Sequence, residues 1–281
     1  MTGSYVAELI KLRKRSTSWV LFGAGAVLSL TFGYIIPYLG YTSGEDNVQT
    51  AGVPREQVLA DMLPSGLVGN AIGGFPVFAG ALALVLGALM VGSEYGWGTV
   101  KTVLTQGPGR FTLLAAQFAA LVTALALWVL GNFAISAAAS TAVAMAEDRS
   151  LNWPGFTDLA EGFGAGLLVL TMWALLGAVL ALLLRGVALP IGLGVVWVLG
   201  VEALFVGVAG SVLPDLEVVT DLLPGVNAGS LVYAVLGGAA GDPPPGVSDA
   251  VGGTRALLTL AGYVAVGAIV ATLTSRKRDV S

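Results

Sequence analysis

The chain has 281 residues, of which 56% are hydrophobic and only 11% charged, with a formal net charge of −4. Soluble domains carry about a quarter charged residues, so this composition, with a mean hydropathy of +0.87, excludes an ordinary soluble fold. The chain contains neither cysteine nor histidine, which excludes disulfides and thiolate chemistry and removes the commonest metal ligand and the commonest general base.

Several uncharged runs reach the roughly 20 residues that a helix needs to cross a bilayer. No stretch alternates in the two-residue rhythm of a membrane β-barrel strand. The fold class expected is therefore all-α, a polytopic membrane protein.

Residues 4–18, SYVAELIKLRKRSTS, read as a short amphipathic helix. Val6, Leu9 and Ile10 share one face, and Glu8, Lys11, Lys14 and Arg15 the other, with Arg13 able to snorkel. Such a helix lies in the cytoplasmic interface beside anionic headgroups. The alternative is a plain basic flank, and both place the N-terminus inside. Residues 19–39 form the first expected span, since their apolar run exceeds the 7–15 residues of a signal-peptide core. A polar loop with Glu45, Asp46, Glu56 and Asp61 leads to a second span at 71–92.

Residues 93–110, SEYGWGTVKTVLTQGPGR, are a polar island between apolar runs. Glu94, Lys101 and Arg110 stand among glycines at 96, 98, 107 and 109 and Pro108. Thr99 suits the N-cap of a short helix over 100–106, and Gly107-Pro108-Gly109 ends it. The other reading is an ordinary amphiphilic loop. The third span, 111–146, is free of charge and longer than one crossing requires, so it tilts or runs past the membrane. Asn132 is its strongly polar residue well inside. A fourth span at 162–184 ends in a tight turn at Arg185-Gly186. The fifth, 187–210, carries Pro190 and Glu202. An outer loop covers 211–255, and a last span, 256–274, precedes Arg276, Lys277 and Arg278.

Residues 222–241 are uncharged and about long enough to cross, but contain Pro224 and several glycines. Counting them gives seven spans and moves Arg276, Lys277 and Arg278 outside. With six spans, Lys11, Arg13, Lys14, Arg15, Lys101, Arg110, Arg185 and that terminal cluster are cytoplasmic, and only Arg55, Arg149 and Arg255 are external. This is the positive-inside bias. Six spans with both termini cytoplasmic is the expected topology, with 222–241 a re-entrant or interfacial hairpin covered by protein on the outer face.

No HExxH, phosphate loop or nucleophile elbow with a histidine partner occurs, so no catalytic residue, cofactor or metal is expected. A charge at mid-bilayer costs about 2.5–3.5 kcal/mol, so Glu202, together with Asn132, is a candidate pathway residue. Alternatively Glu202 is hydrated, or paired with an outer arginine. The tryptophans read as interface anchors and packing.

Glu94-Tyr95, Gly98-Thr99, Leu104-Thr105, Pro108 and Arg110 resemble the signature that follows the second helix of type 2 ABC transporter permeases. Residues 8–13 resemble that family's N-terminal elbow helix, and Leu223-Pro224-Gly225 its outer segment before the last span. One departure is Gln117, where many members carry a lysine. The resemblance implies a permease subunit in the cell membrane, paired with a second permease chain. Cytoplasmic ABC ATPase subunits would dock on Glu94, Gly98, Thr99, Lys101, Leu104, Pro108 and Arg110, with Glu94 and Arg110 bracketing the surface. ATP-driven closure would move residues 98–106 and switch the spans between inward- and outward-open, more usually for export. A neutral cavity suits a hydrophobic or amphiphilic small molecule such as a drug, an antibiotic or a lipid; membrane lipid is the other partner, and no nucleic acid is expected. The rival readings are a proton-coupled carrier using Glu202, an intramembrane enzyme and a non-transporting membrane anchor.

Overall fold

Inside lipid a backbone must satisfy its own polar groups, and the apolar runs do so as helices. The structure, a computed structural model, describes residues 2–44, 47, 49–96, 109–212, 217–238 and 243–277. Among the described residues there is no strand, and six helices are long and apolar enough to cross a membrane. In chain order, α1 is Thr2–Lys14. The first candidate span is α2, Ser16–Ser43. A short α3, Arg55–Met62, precedes α4, Pro64–Ser93, whose last segment continues to Gly96. The following spans are α5, Phe111–Ala146, α6, Phe156–Leu184, and α7, Ala188–Val208. Two short helices, α8 (Glu217–Thr220) and α9 (Pro224–Val235), lead to the last span, α10, Gly253–Ser275.

The helices overrun the charge-free runs, because lack of charge marks the hydrocarbon layer and a helix continues beyond it. Thus α6 begins at Phe156, and its Asp158 carboxylate accepts the Gly155 N–H at 2.9 Å as a cap on that early turn. Residues 222–241 hold the 12-residue α9, about 18 Å long and too short to cross. It packs along α10 and α6, burying Asn227 to Val232.

The most extensive pairing joins α4 and α6. A β-carbon on Gly87 would collide with the Ala174 carbonyl, and one on Gly177 with that of Leu84, so the two backbones touch through opposed glycines. Trp173 is buried beside them and donates its indole N–H to the Pro76 carbonyl at 3.1 Å. Pro76 lies in a π-helical turn, Phe75–Ala79; similar turns interrupt α2 at Thr31–Ile35 and α7 at Trp197–Val201. Phe32 and Phe78, in the first two of these turns, stack with centroids 5.6 Å apart. Around this centre, α2, α7 and α10 expose Val27, Ile35, Leu193, Val196, Leu258 and Val266, as suits a solvent of lipid tails.

The face of α1 that meets the protein differs from the simple amphipathic expectation. Val6 and Ile10 are exposed, whereas Glu8 and Leu12 are buried where α1 packs on α5. Lys11 pairs with Glu8 at 2.6 Å, and the Tyr5 hydroxyl bonds Thr123 Oγ1 at 2.9 Å. The face that meets the protein is thus mixed, since Leu12 is buried and Leu9 packs on the core beside Glu8 and Tyr5.

Candidate functional site

Two groups of polar side chains sit at opposite ends of the bundle, with a polar stripe between them. At the end where α1 meets α2, the chain breaks at Arg15, which has extended backbone angles. Its guanidinium donates to the Leu89 carbonyl at 2.9 Å and to Ser93 Oγ at 2.6 Å. Ser93 in turn donates to the Leu89 carbonyl at 2.7 Å. The start of α2 is thus tied to the last turns of α4, directly before the polar island. Gly98, Thr99, Lys101, Leu104 and Pro108 lie outside the described residues, as do the side chains of Glu94 and Arg110. Gly109 is the N-cap of the helix that continues into α5, and Gln117 two turns on is buried.

The interior stripe runs along α5. Asn132, Ser136 and Ser140 recur every fourth residue on one buried face. Asn132 returns its amide to the Trp128 carbonyl at 3.3 Å, while its carbonyl oxygen has no hydrogen-bond partner. Tyr34 of α2 donates to the Ser136 carbonyl at 3.1 Å. Asn132 therefore lies inside one chain between packed helices.

At the far end, the Tyr38 and Tyr41 hydroxyls donate to the two oxygens of Glu147, at 2.9 and 3.1 Å. Arg149 pairs with Glu56 at 3.2 Å. Glu202 occupies the same end. Among described residues α7 buries Pro190, Gly194, Val198 and Glu202, one residue per turn, so the spacing of the packing stripe carries the carboxylate inward. One carboxylate oxygen accepts the backbone N–H groups of Gly225 at 2.6 Å and Val226 at 3.0 Å; the other accepts the Trp197 indole N–H at 3.1 Å. The alternatives of a hydrated group or an arginine pair are corrected accordingly: Glu202 is buried, and Arg255 pairs with Asp221 at 2.8 Å instead.

The sequence signals for this contact were present but separate. Pro224 is the first residue of α9 and has no N–H, so the next two amides are the first that need an acceptor. The N-cap, Leu223, has no side chain able to supply one. The role of Arg15 had no such signal beyond its charge. Among the described residues no group of three acidic side chains stands together as a metal site.

A search of the curated proteins finds no match. The family model described as ABC-2 family transporter protein matches residues 6–201, from the first turns of α1 to the residue before Glu202. With six candidate spans in an all-helical chain, the chain belongs to the ABC-2 family, as a membrane-spanning permease subunit of an ABC transporter.

Proposed function

We propose that this chain is the permease of an ATP-driven exporter for a hydrophobic or amphiphilic compound, working with a second permease chain and cytoplasmic ABC ATPase subunits. Residues 93–110 are the docking loop, with Glu94, Gly98, Thr99, Lys101, Leu104, Pro108 and Arg110 its contact residues. Both termini are cytoplasmic in this reading, because the basic residues then concentrate on the inner side.

The observation that carries the reading is the bond between Arg15 and Ser93, 2.6 Å long. It joins the α1–α2 corner to the turn that leads into the loop, so a displacement of the loop reaches two elements together. An ATPase that favours one packing of the helices over the other then shifts their equilibrium without touching the substrate. The apolar interior, with few charged side chains, suits a neutral or amphiphilic cargo.

A carrier that moves protons through Glu202 fits less well, since the carboxylate is buried and both its oxygens are engaged by N–H donors. Hydrogen bonds to a charged group are worth about 1.5–3 kcal/mol each. Two or three of them cover the about 2.5–3.5 kcal/mol that an intramembrane carboxylate costs. The test is co-expression with a candidate ABC ATPase. ATP-dependent movement of a lipophilic dye out of cells that express both chains is expected, and dye movement with the permease alone, driven by a proton gradient, would overturn the reading.

A further inference from the structure

We infer that Glu202 is the latch that closes the outer end of the bundle by gripping the start of α9; the word outer rests on the topology proposed above. The contact lies beyond residues 6–201, so family membership does not supply it.

Three features make it a latch and not ordinary packing. First, α9 cannot cap itself. Leu223 offers no acceptor and Pro224 no donor, which leaves the Gly225 and Val226 amides to an acceptor from another helix. Glu202 is that acceptor, and the site is cut to fit it: a β-carbon on Gly225 would lie 2.8–2.9 Å from the carboxylate atoms. Second, the attachment of α9 is lopsided. Toward α10 it is packed closely and its flanks are tied: just before α9, the Leu222 carbonyl accepts from Tyr263 at 2.8 Å and Asp221 pairs with Arg255 at 2.8 Å, and Ser230 of α9 accepts the Val251 N–H just before α10 at 3.2 Å. It also packs on α6 and on the π-turn of α4, but has no comparable packing on α7 among described residues. Among the described residues the carboxylate thus bonds α9 to α7 where their packing is slight, so it can be broken without dismantling an extensive interface.

Third, α7 has a joint there. Its buried side chains among the described residues are the single stripe of Pro190, Gly194, Val198 and Glu202, while residues 203–208 are exposed. The π-turn Trp197–Val201 ends at Glu202 and supplies its third donor, Trp197. A π-turn holds one residue more than an α-turn, so its conversion to α-helix turns the following segment by about 100°. That rotation withdraws Glu202 from α9 and parts α7 from α9, while α9 stays on α10. Release of cargo follows through the gap.

The chain has no cysteine, so a single Val226→Cys substitution, which keeps the backbone amide that Glu202 accepts and replaces a half-buried side chain, puts a reporter thiol at the contact. Its rate of reaction with a membrane-impermeant maleimide is measured on intact cells. Met145→Cys, at an exposed position near the same end of α5, serves as control. Glu202→Leu removes both bonds to α9 and is expected to raise the Val226→Cys rate by about tenfold or more, and Glu202→Gln by less. Gly225→Ala is expected to raise it in the native background and to add nothing on top of Glu202→Leu, because both break one contact. The Met145→Cys rate stays constant throughout if the fold is intact. An unchanged Val226→Cys rate across the Glu202 variants overturns the latch. Reaction of Met145→Cys only after the cells are permeabilised overturns the proposed topology instead.

Discussion

Arg15 and Ser93, 78 residues apart in sequence, are joined side chain to side chain at 2.6 Å. The same guanidinium holds the Leu89 carbonyl at 2.9 Å, so the corner between α1 and α2 is fastened to the end of α4 by a fork of two bonds. Arg15→Ala is expected to destabilise the purified permease by about 1.5–3 kcal/mol, a melting-temperature drop of about 3–12 °C. It is also expected to reduce ATPase stimulation in the complex more than ATPase binding, because the fork transmits and does not dock. Lysine supplies a point donor in place of the fork, so Arg15→Lys restores stability in part and coupling less. A full-strength coupled ATPase rate in Arg15→Ala would remove Arg15 from the transmission path.

Charge reversal of the loop brackets tests the docking surface. Glu94→Arg and Arg110→Glu are each expected to reduce co-purification with the ATPase about tenfold or more, since like-charge contact at an interface costs several kcal/mol. If both variants bring down the ATPase as well as the native chain does, residues 93–110 are not its seat.

Topology is tested by introduced thiols. Lys101→Cys and Trp97→Cys are expected to react with an impermeant maleimide only in inverted vesicles, and Arg149→Cys in intact cells. Reaction of the two loop positions from outside would reverse the sidedness on which the docking role depends.

The opposed glycines of α4 and α6 give a stability prediction. Leucine at Gly87 or Gly177 meets backbone, which cannot yield as a flexible side chain does. The cost is expected to exceed the about 1–3 kcal/mol of ordinary overpacking, with loss of a monodisperse species on size exclusion. Leucine at Gly23 or Gly131, where a β-carbon meets open space, is expected to leave elution unchanged.

Much of this was legible along the chain. Runs of apolar residues bounded by charge mark the spans, because the bilayer penalises charge at each position separately and no knowledge of neighbours is needed. The island at 93–110 and the punctuation of 222–241 by Pro224 were visible for the same local reason. The side of α1 that meets the protein was not. A helical wheel gives an apolar face and a polar face, but the side that packs on α5 is neither alone: Glu8 and Tyr5 find partners there beside Leu9 and Leu12, while Val6 and Ile10 are exposed.

By itself the sequence determined that this is a helical membrane protein, about where its helices cross, and the family whose pattern it carries; each follows from local composition and spacing. Only the tertiary structure decided what the isolated polar residues do. Glu202 reads as an anomaly in α7 until the amides of Gly225 and Val226 are beside it, and Arg15 as one charge among several until Ser93 is. A hydrogen bond between helices is a property of two distant positions at once, and no window along a single chain contains both.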